Sequence, residues 1–247
     1  MKWRTHRALT RRALRRLGLG GDVIEACLEG VVEPDRREEY SLTITPRGRV
    51  RLTRRPHHSF WRASDAIRYI YKARRCFLEG RLGPAGYYLG QALHYIQDKC
   101  VERSIFAEHG ELESEIGGLD IPEDAIERGL ADSVSHPKSV EAIVWMAAGS
   151  TNPGRALWYA AYYTAWVAKA VFTISGVGEA RAQLQRLNKW AKRLGLALTA
   201  LTPATFLACV LGSMAALAAL AIIDAAILAI VLYLLNDRSK IRRWFGI

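Results

Sequence analysis

The stretch YYLGQALHYIQDKC, residues 87–100, decides how this chain is read, because it sets a single His94-x3-Asp98 pair among small and apolar neighbours. Residues four apart on an α-helix lie one above the other on the same face. The pair therefore offers an imidazole nitrogen and a carboxylate oxygen to one ion. A second pair at the same spacing, His109-x3-Glu113, follows in FAEHGELESEI, residues 106–116. Six histidines occur in 247 residues, and His6, His57, His58, His94 and His109 all fall in the first 110. Histidine and carboxylate donors grouped in this way suit Zn²⁺ or a similar first-row ion.

Outward from that stretch the pattern is helical almost everywhere. Before it, the spacing of Ala8, Leu9, Ala13, Leu14 and Leu17 predicts a basic amphipathic helix from about Trp3, with Arg11, Arg12, Arg15 and Arg16 on its surface. Gly18-Leu19-Gly20-Gly21 ends it, and Asp22 is placed to cap a second helix running to about Gly30. Tyr40, Leu42 and Ile44 alternate, Pro46-Arg47-Gly48 turns the chain, and Val50 and Leu52 alternate back, which predicts a short β-hairpin. Helices are expected from about Ser59 to Gly80, Pro84 to Ser104 and Ile105 to Ile116. Further helices are expected after Pro122, after Pro137, and in the aromatic run that follows Asn152-Pro153-Gly154.

From Leu194 to Leu235 the composition changes, and Asp224 is the sole charged residue. One unbroken helix of that length would measure roughly 60 Å, about twice the hydrocarbon core of a bilayer. Two spans that turn near Gly212-Ser213 resolve the mismatch. Basic residues flank both ends (Lys189, Lys192 and Arg193 before, Arg238, Lys240, Arg242 and Arg243 after), which puts both ends on the cytoplasmic side. Asp224 is costly in lipid and calls for protonation, contact with the partner helix, or a homo-oligomeric contact.

The expected organisation is an all-α helical domain over 1–193 carrying the β-hairpin insertion, a transmembrane hairpin over 194–235, and a basic cytoplasmic tail over 236–247. A net charge of +11 and a pI near 9.7 favour phosphate-bearing partners, either nucleic acid or anionic lipid. The four cysteines have neither C-x-x-C nor disulfide-framework spacing, so a reduced compartment fits. The opening MKWRTHRALTRRALRR lacks the apolar run of a signal peptide, and the body of the protein is expected in the cytoplasm.

Taken in order, these residues resemble the zinc-dependent phospholipase C family and the related zinc single-strand nucleases, over roughly residues 1 to 115. His94 and Asp98 look like that family's central H-x-x-x-D, in which the aspartate bridges two metals. His109 and Glu113 look like its later H-x-x-x-E pair. Asp35, in VVEPD, looks like the family's Pro-Asp, a ligand and general base. His57 or His58 then takes the place of the histidine that follows. His6, close behind Trp3, resembles the N-terminal tryptophan–histidine element.

The chain departs from the pattern in two places. Relatives expose a tryptophan as their first residue, and here Trp3 stands behind Met1 and Lys2; the family histidine shortly after the bridging aspartate is missing from Lys99–Ser104. The resemblance implies an all-α bundle holding two zinc ions, with a third site short of ligands, and Asp35 as the catalytic base. Arg54, Arg55 and Arg62 are candidates for the substrate phosphate.

The implied activity is phospholipase C-like hydrolysis of a phosphodiester by metal-activated water, with a phospholipid head group the favoured substrate. The protein would be a multi-pass membrane protein with its catalytic domain and both termini cytoplasmic, in contact with membrane lipid and open to homo-oligomerisation through the hairpin. A single-strand nuclease, and a non-catalytic membrane protein with a structural metal, are the alternatives. Walker A, dinucleotide-fingerprint, H-E-x-x-H and G-x-S-x-G motifs are all absent.

Overall fold

The structure, a computed structural model, describes residues 1–247 except 37–39, 45–47, 55–61, 102–108, 211 and 213. It is mostly helical and divides into two compact units, Met1–Ile174 and Ser175–Ile247.

The first unit is built around α5 (Leu82–Lys99), which contacts α2 (Gly21–Gly30), α4 (Arg62–Leu78) and α9 (Pro153–Phe172). Leu89, Leu93 and Ile96 of α5 and Ala160, Ala161, Ala165 and Val167 of α9 are fully or almost fully buried. Small residues set the helix spacing. A Cβ on Gly90 would lie 2.2 Å from the Cys27 carbonyl oxygen, and one on Gly30 would lie 2.0 Å from that of Tyr87. Helices α2 and α5 therefore meet backbone to backbone at a crossing that alanine would force apart. α1 (Trp3–Arg16) buries His6, Leu9, Ala13 and Leu14. Its surface arginines are engaged, Arg12 with Glu123 and Arg16 with Glu127 of α7 (Glu123–Asp132), and Arg11 with Glu25 at 3.6 Å. Such exposed pairs are each worth little.

Local chemistry sets several helix ends. The Asn152 side-chain oxygen accepts from the Arg155 backbone N–H at 3.0 Å, with Pro153 opening α9. His136 caps α8 (Pro137–Met146) in the same way through Nδ1, accepting from the Lys138 N–H. Asp22 lies inside the first turn of α2, and its side chain does not cap: Gly20 holds the N-cap position. The Pro34-Asp35 step lies in the short helix α3 (Glu33–Arg36). β1 (Tyr40–Ile44) pairs antiparallel with β2 (Val50–Arg54), Leu42 opposite Leu52, and the turn residues 45–47 lie outside the described residues. α6 (His109–Gly117) completes this unit.

The second unit consists of α10 (Val177–Val210) and α11 (Met214–Phe245), packed on each other. α10 runs without a break through Arg193-Leu194, and Pro203 lies inside the same helix. Among the described residues one helix, Leu217–Phe245, is long and apolar enough to cross a membrane, and none of its most apolar window is buried. Phe206 (72 % exposed), Val210, Met214, Ile222 (71 % exposed), Leu228 and Leu232 all face outward. That is the reverse of a buried core hairpin.

Candidate metal centre

Three residues from two helices converge with their ligand atoms within 4.8 Å of one another: His6 of α1, and His94 and Asp98 of α5. All three are buried, the imidazoles almost completely. The rings of His6 and His94 stack with centroids 4.7 Å apart.

Each imidazole is oriented from behind. His94 Nδ1 lies 2.9 Å from the carbonyl oxygen of Val31, an atom that only accepts, so Nδ1 carries the proton and donates. The close α2–α5 crossing brings that carbonyl within reach, since Gly90 sits one turn before His94. His6 Nδ1 lies 2.6 Å from Gln97 Oε1. Gln97 Nε2 donates to Thr10 Oγ1 at 3.1 Å and to Thr164 Oγ1 at 2.9 Å, which fixes its amide orientation. His6 Nδ1 must therefore donate as well. In both rings Nε2 is left facing inward.

Those two Nε2 atoms are buried and form no hydrogen bond. Carboxylate oxygens nevertheless stand close: Asp98 Oδ1 at 3.2 Å from His6 Nε2, Asp98 Oδ2 at 3.3 Å and Asp35 Oδ1 at 3.4 Å from His94 Nε2. Ligand atoms held about 2.0–2.1 Å from a tetrahedral ion are about 3.3 Å apart, so the spacing fits such an ion. Second-sphere carbonyl and amide oxygens behind imidazole ligands are the usual companions of a metal site.

Electrostatics point the same way. The Met1 ammonium donates to Asp98 Oδ1 at 3.0 Å and to Glu113 Oε1 at 2.7 Å. Asp35 and Asp98 both face His94, and Asp98 shares the ammonium with Glu113, so negative charge gathers around the two imidazoles. Imidazolium charge or one divalent cation would offset it. Two imidazoliums stacked at this distance repel by roughly 3–4 kcal/mol at an effective dielectric near 20, which favours the single ion. With protons alone available, burial opposes charge on His94, but Asp98 and Asp35 outweigh it and push the imidazole up to about 9. Burial likewise opposes the Asp98 charge, and His94 and His6 hold that carboxyl well below its ordinary range.

At the edge of the cluster Asp35 and Glu113 are partly exposed. At this exposed edge Trp3 Nε1 donates to Asp35 Oδ2 at 2.8 Å, and the Arg36 guanidinium lies 5.3 Å over the Trp3 ring. A cavity of about 560 Å³ bounded by Arg4, Arg12, Asp120 and Glu123 shares no residue with the centre.

Of the residues singled out in the sequence, His6, Asp35, His94 and Asp98 form one cluster, and Glu113 joins it through the Met1 ammonium. His57, His58 and Arg55 lie outside the described residues, as do the side chains of Arg54 and His109. Arg62 is buried, with Nη1 3.3 Å from Asp65 Oδ2 and its guanidinium over the Tyr95 ring. Val31, Gln97 and Arg36 were not anticipated. Gln97 was within reach of the sequence, because it falls three residues after His94 on the same helical face. The Val31 carbonyl carries no sequence signal, since any residue has one.

No protein-family model, curated protein or solved structure matches the chain.

Proposed function

We infer that the protein is a membrane-anchored, zinc-dependent phosphodiester hydrolase of the phospholipase C type, with a phospholipid head group as substrate. One observation carries this reading: two buried, unbonded imidazole Nε2 atoms face the two different oxygens of a single carboxylate, Asp98. His6, His94 and Asp98, with Asp35 beside them, would together hold the metal. When bound, ions of this kind acidify water and stabilise charge on phosphoryl oxygens.

The chain's own residues divide the remaining work. Asp35 is held through Oδ2 by the Trp3 indole, so Oδ1 stays turned toward His94 and free to take a proton from an attacking water. Arg36, exposed beside Asp35, is among the described residues the guanidinium assigned to hold a non-bridging phosphate oxygen. Burial of His6, His94 and Asp98 keeps bulk water from competing for the ligand atoms.

For the anchor, α11 supplies one span. The apolar part of α10 after Arg193 supplies the second, which makes the protein multi-pass with both flanks cytoplasmic. The test is turnover by the full-length protein on phospholipid vesicles, single-stranded DNA, RNA and a chromogenic phosphodiester, each with and without chelator. Chelator-sensitive release of a phosphorylated head group is expected. Metal-dependent cleavage of nucleic acid alone would make it a nuclease, and loss-free metal content without turnover on any substrate would make the centre structural.

A further inference from the structure

A second polar site lies in the helix pair, at the end away from Gly212. There a cavity of about 240 Å³ is bounded by Arg181, Gln185 and Asn188 of α10 and by Arg238 and Arg242 of α11. Three guanidiniums from two helices thus border one small space. Among the described residues no carboxylate side chain pairs with Arg181 or Arg238, and Arg242 spends only its Nε, on the main-chain oxygen of Ile247, which also borders the cavity, at 3.2 Å. Asn188 Oδ1 is buried and accepts no hydrogen bond. The site therefore has surplus donors for an anion and one acceptor lacking a donor.

Its depth along the helices identifies the kind of ligand. The apolar stretch begins at Leu194, six residues or about 9 Å after Asn188 and thirteen residues or about 20 Å after Arg181. It ends at Leu235, three residues or about 4.5 Å before Arg238 and seven residues or about 10.5 Å before Arg242. The polar layer on each side of a bilayer's hydrocarbon core is on the order of 5–8 Å thick, so the inner end of the cavity, at Arg238 and Asn188, meets that layer and the long arginine side chains beyond it reach back toward it. Trp190, 55 % exposed with Arg193 stacked on its ring, lies between the cavity and the apolar stretch, where interfacial anchors belong. Basic pockets between membrane helices at this level bind lipid head groups.

We propose that this cavity is a head-group site for an anionic glycerophospholipid, its phosphate held by Arg181, Arg238 and Arg242 and a head-group hydroxyl donating to Asn188. The site rests on the reading of α11 as a membrane span, and it is separate from the metal centre and from any catalysis there.

The test uses full-length protein in nanodiscs containing phosphatidylcholine with either phosphatidylglycerol or phosphatidic acid, and counts lipids retained by native mass spectrometry. Sodium carbonate extraction of membranes reads insertion independently. Wild type is expected to resist carbonate and to retain phosphatidylglycerol over phosphatidylcholine. The Arg181→Gln/Arg238→Gln double variant should lose about tenfold of that preference while still resisting carbonate. Lys189→Gln/Lys192→Gln, which removes equal charge outside the cavity, should keep it. Asn188→Leu should lose the preference for phosphatidylglycerol over phosphatidic acid alone. A carbonate-resistant double variant with undiminished phosphatidylglycerol overturns the site but not the span. Release of wild type by carbonate overturns the span and the site together. Inorganic phosphate that displaces the lipid at equal concentration would mark a soluble-anion site and overturn the lipid assignment.

Discussion

His94 Nδ1 donates to the carbonyl of Val31, 63 residues earlier in the chain, and the contact exists because Gly90 lets α2 and α5 touch through their backbones. Gly90→Ala would drive a methyl group into the Cys27 carbonyl. The helices must separate, at about 1–3 kcal/mol. The same shift withdraws the oxygen behind His94, so metal affinity should fall roughly 10–100-fold. Thermal melts and zinc titration of the same variant check both halves. Unchanged zinc affinity in a destabilised protein would separate the crossing from the centre.

Asp98→Asn keeps the shape of the side chain but removes the charge that both imidazoles face. It should abolish hydrolysis and most bound zinc, read by elemental analysis of protein purified without chelator. Gln97→Leu frees the His6 ring and strands the hydroxyls of Thr10 and Thr164. It should lower affinity by a smaller factor and cost about 1–3 kcal/mol of stability.

Protons and zinc compete for the same nitrogens, which sets a pH dependence. His94 in the metal-free fold titrates at about 9, above its ordinary 6.5. A raised value contributes stability that is fully present below about 6.5 and is lost as pH climbs through about 9. The Met1 ammonium, raised above its ordinary 8.0 by Asp98 and Glu113 against its burial, acts in the same direction. Asp98, held low, contributes above about pH 4 and loses its contribution only on further acidification. Metal-free protein should therefore melt at a lower temperature at pH 9 than at pH 6. Added zinc should raise the melt more at pH 9 than at pH 6, because binding then displaces fewer protons. Equal zinc-induced shifts at the two pH values would contradict the shared-nitrogen arrangement.

Arg36→Ala should raise KM for a phosphodiester roughly tenfold with a smaller change in kcat, and leave zinc content alone, because the guanidinium stands at the exposed edge without touching a ligand atom. Arg62→Ala should instead act on stability, since that side chain is buried between Asp65 and Tyr95. A large KM effect at Arg62 and none at Arg36 would reverse the assignment.

Burial also predicts thiol behaviour. Cys27 and Cys100 are fully buried, and desolvation pushes both thiols up. Neither should react with iodoacetamide at pH 8 until the helical domain unfolds, as peptide mapping would show.

The helical character and the His94–Asp98 pair were legible because both rest on a period that sequence displays directly. The meeting of His6 with that pair is a tertiary fact, 88 residues apart, and only its order along the chain hinted at it. Asp35 shows the limit of local reading: Pro34-Asp35 has turn chemistry, yet a short helix forms and the Trp3 indole fixes the carboxylate. The division drawn at 193/194 rests on side-chain character alone. Hydropathy changes at Leu194, but α10 starts at Val177, and a backbone helix does not register where its side chains turn apolar.

Trp3 joins its indole N–H to Asp35 while leaving nearly half of the residue in water. The chain thereby carries a built-in fluorophore wired to one carboxylate of the centre. Emission from that single ring, isolated by replacing it with phenylalanine, gives a direct optical readout of cation arrival that needs no label and no substrate.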